Sequence, residues 1–212
     1  MERLICVLIG YTFGLFETGY FYGRMKNIDI RQHGSGNAGT TNTLRTLGWK
    51  AGVITFIGDC LKCILAVGVV RLIFGNSHPD TIKLLTMYTG MGAVLGHNYP
   101  FYMKFKGGKG IATTAGLFLT TNPWMAVVSM IVFILIVAIT RYVSVASLIL
   151  MILFAVEVIW YGQRGGFGLL QPQLYEVYAI AIFLTLSAFY KHKVNIKQLL
   201  NGTENKFGAK KK

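Results

Sequence analysis

Mostly apolar stretches long enough to cross a bilayer as a helix, about 20 residues, recur along this chain at 2–23, 50–75, 81–98, 122–140, 142–161 and 174–190. Short polar or basic segments separate them. A seventh apolar segment, 110–121, reaches only about 18 Å at the helical rise per residue, too short to cross unaided. It is expected to borrow from the preceding loop or to sit as a half-helix. Asn122-Pro123 follows it. Proline removes a helical donor and pushes its predecessor out of the α region, so 110–140 is expected as two segments and not one. The pattern predicts an all-α integral membrane protein, a seven-helix bundle with one short segment, forming a single membrane-embedded domain over 1–212.

Charge orients that bundle. Only 14% of the 212 residues are charged while 53% are hydrophobic, which points to lipid and not water as the solvent. Lysine and arginine outnumber acidic residues 21 to 8, a formal net charge of +13. Because the basic residues fall between apolar runs, anionic head groups or substrates are expected as partners in place of nucleic acid. Seven crossings would put the loops 24–49 and 99–109, Arg141 and the tail 191–212 on one side, with most of the lysines and arginines. Only Arg3, Arg71, Lys83 and Arg164 would remain on the other. The positive-inside rule then places the N-terminus outside and the C-terminus in the cytoplasm.

Three cysteines, Cys6, Cys60 and Cys63, lie inside apolar runs, so Cys60-Leu61-Lys62-Cys63 is expected to be packing and no disulfide framework follows. The first run has no basic leader and no small-residue cleavage site, and is expected as a retained span. The tail 201–212 is polar and basic and is expected to be mobile.

Two loops carry candidate chemistry. The first reads His33-Gly34-Ser35-Gly36-Asn37-Ala38-Gly39-Thr40-Thr41-Asn42-Thr43-Leu44-Arg45. Glycines let backbone N–H groups close on an anion. Ser35, Gly36, Asn37, Thr41 and Asn42 can add donors, a following short helix would favour an anion at its start, and Arg45 offers a bidentate phosphate fork. Its match to G-x-G-x-x-G carries no dinucleotide fold, since no strand pattern precedes it. The second loop runs from Gly96 and His97 to Lys104, Lys106, Gly107, Gly108, Lys109 and Gly110, two glycine-flanked lysines before a helix start. It reads as a second anion cradle or as a topology anchor.

A third segment, Tyr190-Lys191-His192-Lys193-Val194-Asn195-Ile196-Lys197, reads as an amphipathic surface helix with His192 and Asn195 on one face. Asp59 and Lys62 lie three residues apart inside a span. There they form either a structural pair or a support beneath the site. Ser144 is either a helix cap or a site residue.

These segments, with Gly58-Asp59, Lys62 and Thr140-Arg141-Tyr142-Val143-Ser144, resemble in order the signature segments of the PlsY family, bacterial membrane glycerol-3-phosphate acyltransferases that use acyl phosphate. One departure is Cys63, where the family pattern has glycine. The resemblance implies a cofactor-free, metal-free enzyme of the bacterial inner membrane with its site on the cytoplasmic face. It would transfer the acyl group to the sn-1 hydroxyl of glycerol 3-phosphate, giving 1-acylglycerol 3-phosphate and phosphate. A monomer is expected, in transient contact with a soluble phosphate acyltransferase that forms the acyl phosphate. The H-x-x-x-x-D pair of coenzyme-A-dependent glycerolipid acyltransferases is missing, because Tyr102 stands where it needs its aspartate.

In that reading Arg45, Ser35, Thr41, Lys106 and Ser144 hold glycerol 3-phosphate. Lys109 and the amides of Gly107 and Gly108 steady the acyl phosphate. His192 with Asn195 orients the attacking hydroxyl. His97, His192 or the substrate's own phosphate takes the proton. Two other readings remain at this stage. A phosphate transporter would show broken helices at mid-membrane and an internal repeat. A scaffold for anionic lipid would explain the basic tail but not the Ser/Asn/Thr/Arg loop.

Overall fold

The computed structural model describes residues 1–208, and these form helices and connecting loops with no strand. The basic cluster at 210–212 lies outside the described residues. The helices are α1 (Glu2–Gly14), α2 (Thr18–Met25), α3 (Thr40–Leu47), α4 (Trp49–Phe74), α5 (Ile82–Asn98), α6 (Ile111–Thr121), α7 (Pro123–Thr140), α8 (Val143–Gln163), α9 (Gln171–Lys191) and α10 (Lys193–Leu200). They fall into two compact units, one up to Thr121 and one from Asn122 onward.

Five stretches are long and apolar enough to cross a membrane: Glu2–Met25, α4, α7, α8 and α9. α7 buries little of itself and exposes Trp124, Ile131, Ile134, Leu135 and Ile139, the surface of a helix whose solvent is hydrocarbon. α5 has 17 residues and α6 has 11.

The first unit is built around α5, which packs on α1, α4 and α6. Small residues set the closest of these approaches. Gly10 and Gly14 of α1 lie against Thr89 and Ala93 of α5, and Gly92 and Gly96 of α5 lie against Val7 and Tyr11 of α1. Each helix thus carries a G-x-x-x-G pair aimed at the other, a geometry that lets membrane helices meet backbone to backbone. Cys60 and Cys63 face α6 at Gly116, and Cys60 Sγ donates to the Ala112 carbonyl at 3.0 Å. All three cysteines are free and buried, in keeping with packing.

The expected continuous helix over 2–23 is broken at Leu15–Glu17. The break is held from outside. Tyr102 Oη donates to the Leu15 carbonyl at 2.7 Å and Lys62 Nζ to the Phe16 carbonyl at 2.8 Å. Two carbonyls released by the end of α1 are thereby satisfied.

In the second unit α8 packs on both α7 and α9. Asn122 caps α7, its Oδ1 accepting from the Trp124 amide at 2.9 Å, with Pro123 at the first helical position. The chain does not run on past α10 as a loose tail. Phe207 N donates to the Arg141 carbonyl at 2.6 Å, and the Arg141 guanidinium donates back to the Phe207 carbonyl at 3.0 and 3.2 Å. The tail as far as Phe207 is therefore tied to the α7–α8 turn, where the composition had suggested mobility.

Candidate active site

The first loop is organised by its own polar residues. Asp29 accepts two bonds from the Arg31 guanidinium, 2.9 and 2.8 Å, and one from the Arg31 amide. These bonds hold the Asp29 carboxyl at about 2, below its ordinary 3.8. A depressed carboxylate contributes stability above its unfolded value and loses it as pH falls through the folded one. The stability difference between wild type and Asp29→Asn, followed by thermal unfolding in detergent, should therefore be constant above about pH 4 and shrink towards pH 2.

Asn42, expected as a substrate contact, is instead the staple of this loop. Its Oδ1 accepts from the Ser35 amide at 2.8 Å, and its Nδ2 donates to the Ile30 and His33 carbonyls at 3.1 and 2.9 Å. Gly34, in a left-handed conformation at φ 60°, leaves room for that amide, because a Cβ there would strike Asn42 Oδ1. The result leaves Ser35 exposed, Asn37, Thr41 and Arg45 half-buried, and α3 starting at Thr40. Gly36 takes a second left-handed conformation two residues on, at φ 70°.

The second loop leaves α5 at Asn98, turns through Phe101–Met103, and passes two consecutive left-handed residues, Lys104 and Phe105, before reaching α6. Lys104 and Lys106 project into solvent and Lys109 is half-buried. Met103 is buried in a common core with Ile30 and Ala38 of the first loop, with Tyr20 and Leu47 packed around it. The two cationic loops therefore sit together at one end of the first unit. Burial, with the Glu17 carboxylate nearby, pushes the Tyr102 phenol up to about 12, so this tie to Leu15 remains a donor.

The glycines of the second loop serve a different purpose from the one the sequence suggests. Gly107 N donates to the Asn98 carbonyl at 3.3 Å and Gly108 N to the His97 carbonyl at 3.0 Å. Both amides, expected to steady the acyl phosphate, are bonded within the protein in this structure. A Cβ on Gly108 would fall in the His97 ring, and one on Gly107 against the His97 carbonyl and Pro100. Close packing on His97 requires these two glycines. Gly110, at φ 81°, supplies the left-handed turn into α6.

Behind this loop lies a buried polar cluster. His97 Nδ1 is 2.9 Å from Glu17 Oε1 and 2.7 Å from Lys62 Nζ. Lys62 Nζ is 3.1 Å from Asp59 Oδ1, which also accepts from Thr18 Oγ1 at 3.0 Å. Glu17, Asp59, Lys62 and His97 are at most 4% exposed. As a bare nitrogen, Nδ1 accepts from Lys62 Nζ, and the Glu17 carboxylate lies beside it at ion-pair distance. Asp59 and Lys62 thus form an ion pair within this cluster. Glu17 is the member that the sequence pattern did not reveal.

In the second unit α8 and α9 run antiparallel, so the start of α8 and the end of α9 share one end. His192 is the junction between α9 and α10, not part of a single surface helix, and its Nδ1 lies 2.7 Å from the Ala188 carbonyl. That bond makes Nδ1 the protonated nitrogen and leaves Nε2 as the acceptor. Asn195 Nδ2 donates to both oxygens of Glu204, at 3.1 and 3.0 Å. Ser144 does not cap α8. Its hydroxyl is buried without a hydrogen-bond partner, as are those of Thr40 at the start of α3 and Thr113 in the first turn of α6. Each of these orphaned hydroxyls belongs to the opening turn of a helix next to a basic segment, and a buried hydroxyl without a partner is costly. Among the described residues no cluster of His, Cys, Asp and Glu is arranged to hold a metal.

Residues 4–202 match the family model described as glycerol-3-phosphate acyltransferase. A glycerol-3-phosphate acyltransferase of Clostridioides difficile (strain 630) is 41% identical over 98% of this chain and 97% of its own length. One of Alkaliphilus metalliredigens (strain QYMF) is 38% identical over 99% and 98%. A crystal structure of PlsY (YgiH), an integral membrane glycerol 3-phosphate acyltransferase in its glycerol 3-phosphate form, superposes with a TM-score of 0.82 at 34% identity, covering 98% of this chain and 96% of that one. The lysophosphatidic acid form of the same enzyme gives 0.80.

Proposed function

The chain belongs to the glycerol-3-phosphate acyltransferase family, integral membrane acyltransferases of phospholipid synthesis, and on that premise we propose that it carries a fatty acyl group from acyl phosphate to the sn-1 hydroxyl of glycerol 3-phosphate. The products are 1-acylglycerol 3-phosphate and inorganic phosphate. The observation that carries this reading is the shared core of Ile30, Ala38 and Met103, which brings two cationic, glycine-rich loops to one end of the first unit. Both substrates are phosphates, and a site for two anions needs more than one cation.

Arg45, with Ser35, Thr41 and Asn37, takes the glycerol 3-phosphate phosphate, joined by Lys104 and Lys106. Asn42 and Gly34 keep that loop in shape. Lys109 and the first turn of α6 take the acyl phosphate. On the second unit, His192 Nε2 is the acceptor suited to an attacking hydroxyl, and Asn195 is held by Glu204. The hydroxyl oxygen attacks the acyl carbon, the fixed cations stabilise the oxyanion, and the carbon–oxygen bond to phosphate breaks. Acyl phosphate is already activated, so orientation of the two reactants supplies much of the rate gain. The proton leaves through His192 or to the departing phosphate. His97 is not the base in this scheme, because its Nδ1 lies in the buried cluster and Gly108 covers Nε2.

We place the loops 24–49 and 99–109 and the segment from 191 on the cytoplasmic side of the bacterial inner membrane, with seven crossings and the N-terminus outside. The positive-inside rule supports this topology. The enzyme acts as a monomer and receives acyl phosphate from a soluble phosphate acyltransferase. Purified protein mixed with acyl phosphate and glycerol 3-phosphate should release phosphate and lysophosphatidic acid in equal amounts. Exchange of phosphate across vesicles without acyl transfer would reject the enzyme reading. Arg45→Ala should lower turnover at least about tenfold, some 1.4 kcal/mol of transition-state stabilisation, and unchanged kinetics in the folded variant would remove Arg45 from the site.

A further inference from the structure

Glu17 sits at the break between α1 and α2, fully buried, at the position that would ordinarily cap α2, yet its side chain makes no cap bond. It turns inward to His97 instead, with Oε1 2.9 Å from Nδ1. The opposite edge of the same ring is the surface on which Gly108 rests. Gly107 and Gly108 then bond to the carbonyls of Asn98 and His97 themselves. An unbroken line of contacts thus runs from the helix break to the loop that carries Lys106 and Lys109.

We propose that Glu17 is a positioning residue for acyl transfer: it fixes the His97 ring, and through that ring the shape of the Lys106–Gly110 phosphate loop. Lys62 and Asp59 complete the device. Lys62 binds the Phe16 carbonyl next to Glu17 and pairs with Asp59, whose Oδ1 is held by Thr18 on the far side of the break. The break in the first membrane stretch is therefore part of the site's construction. A continuous α1–α2 helix would bond the Leu15 and Phe16 carbonyls internally and leave Tyr102 and Lys62 without these acceptors.

A buried cluster of four ionisable groups is costly in a membrane bundle. Hydrophobic residues of similar size would hold the helices together equally well, as the neighbouring Gly10/Gly14 and Gly92/Gly96 contacts do without charge. What they cannot do is lock one rotation of an imidazole. A small misplacement of a group that binds substrate can cost up to about 100-fold in kcat/KM, and a ring held in one orientation guards against it.

The inference rests on the proposed acyl transfer, and the test separates the two. Glu17→Gln keeps the size of the side chain and removes its charge. Glu17→Asp keeps the charge and shortens the reach. In Glu17→Gln, folded by thermal unfolding in detergent, KM for at least one of the two phosphate substrates should rise at least tenfold with kcat within threefold. Glu17→Asp should fall between this variant and wild type. Direct titration of the purified protein with inorganic phosphate should show the same weakening, whether or not acyl transfer is the reaction. A variant with wild-type KM and wild-type phosphate affinity overturns the proposal. So does one that loses kcat in proportion to its loss of folded protein with KM unchanged, because that is what a purely structural Glu17 gives. Wild-type protein that makes no lysophosphatidic acid refutes the acyl-transfer reading alone, and the phosphate titration then decides on Glu17.

Discussion

Gly108→Ala should reduce kcat/KM by about 100-fold, the loss expected when a binding group is displaced by about an ångström. The added methyl would occupy the His97 ring, so either the imidazole or the loop must move. The imidazole is held by Glu17 and Lys62. The loop, held by two backbone bonds to Asn98 and His97, is the part that yields. Backbone strain is not the reason for the loss. Gly108 is not among the left-handed glycines, whereas Gly110 is, at φ 81°. A double variant distinguishes the causes: in a His97→Ala background the ring is gone, and the methyl should cost much less than in wild type. Equal costs in both backgrounds would mean that Gly108 matters for contact with substrate and not for packing on His97.

That distinction marks how far the sequence could be read. The apolar runs located the long helices well. α4, α7, α8 and α9 begin and end within three residues of the runs 50–75, 122–140, 142–161 and 174–190, because the length of an apolar run is fixed by the bilayer it must match. Asn122-Pro123 also marked a true helix boundary, with proline's missing donor and the asparagine cap acting together. The glycines were read for one property, conformational freedom beside an anion. Several act through a second one, the absence of a Cβ where another group lies. Gly34 makes room for Asn42, Gly108 for His97, and Gly10, Gly14, Gly92 and Gly96 for a neighbouring helix. No local pattern separates these roles, since each depends on what the fold brings against the glycine.

Glu17 shows the same limit from the other side. The run over 2–23 reads as one helix because hydropathy averages over Glu17, the carboxylate in its interior. The signal was that carboxylate itself: a lone acidic residue within an apolar stretch calls for a partner. Asp59, Lys62 and His97 were visible one by one. Their assembly required knowing that α1, α4 and α5 meet at the level of the break.

The second large effect concerns that assembly and stability. Lys62→Met should lower the unfolding free energy by about 3–5 kcal/mol, the cost of leaving a buried charge without its partner. Methionine fills a similar volume, so packing changes little. What is lost is the 3.1 Å pair with Asp59 and the donor to the Phe16 carbonyl. The variant would keep two carboxylates, Glu17 and Asp59, around a single histidine. Removing one of them should help: Lys62→Met/Asp59→Asn should regain part of the loss, leaving Glu17 with His97. Lys50→Met, at an exposed lysine that is the second residue of the same helix, should stay within about 0.5 kcal/mol of wild type. Thermal unfolding in one detergent at a fixed scan rate orders the four proteins. If Lys62→Met melts with Lys50→Met, the cluster does not hold the α1–α2 break in place. If the double variant is less stable than Lys62→Met alone, charge imbalance is not the source of the loss, and the Asp59–Thr18 bond carries the larger share.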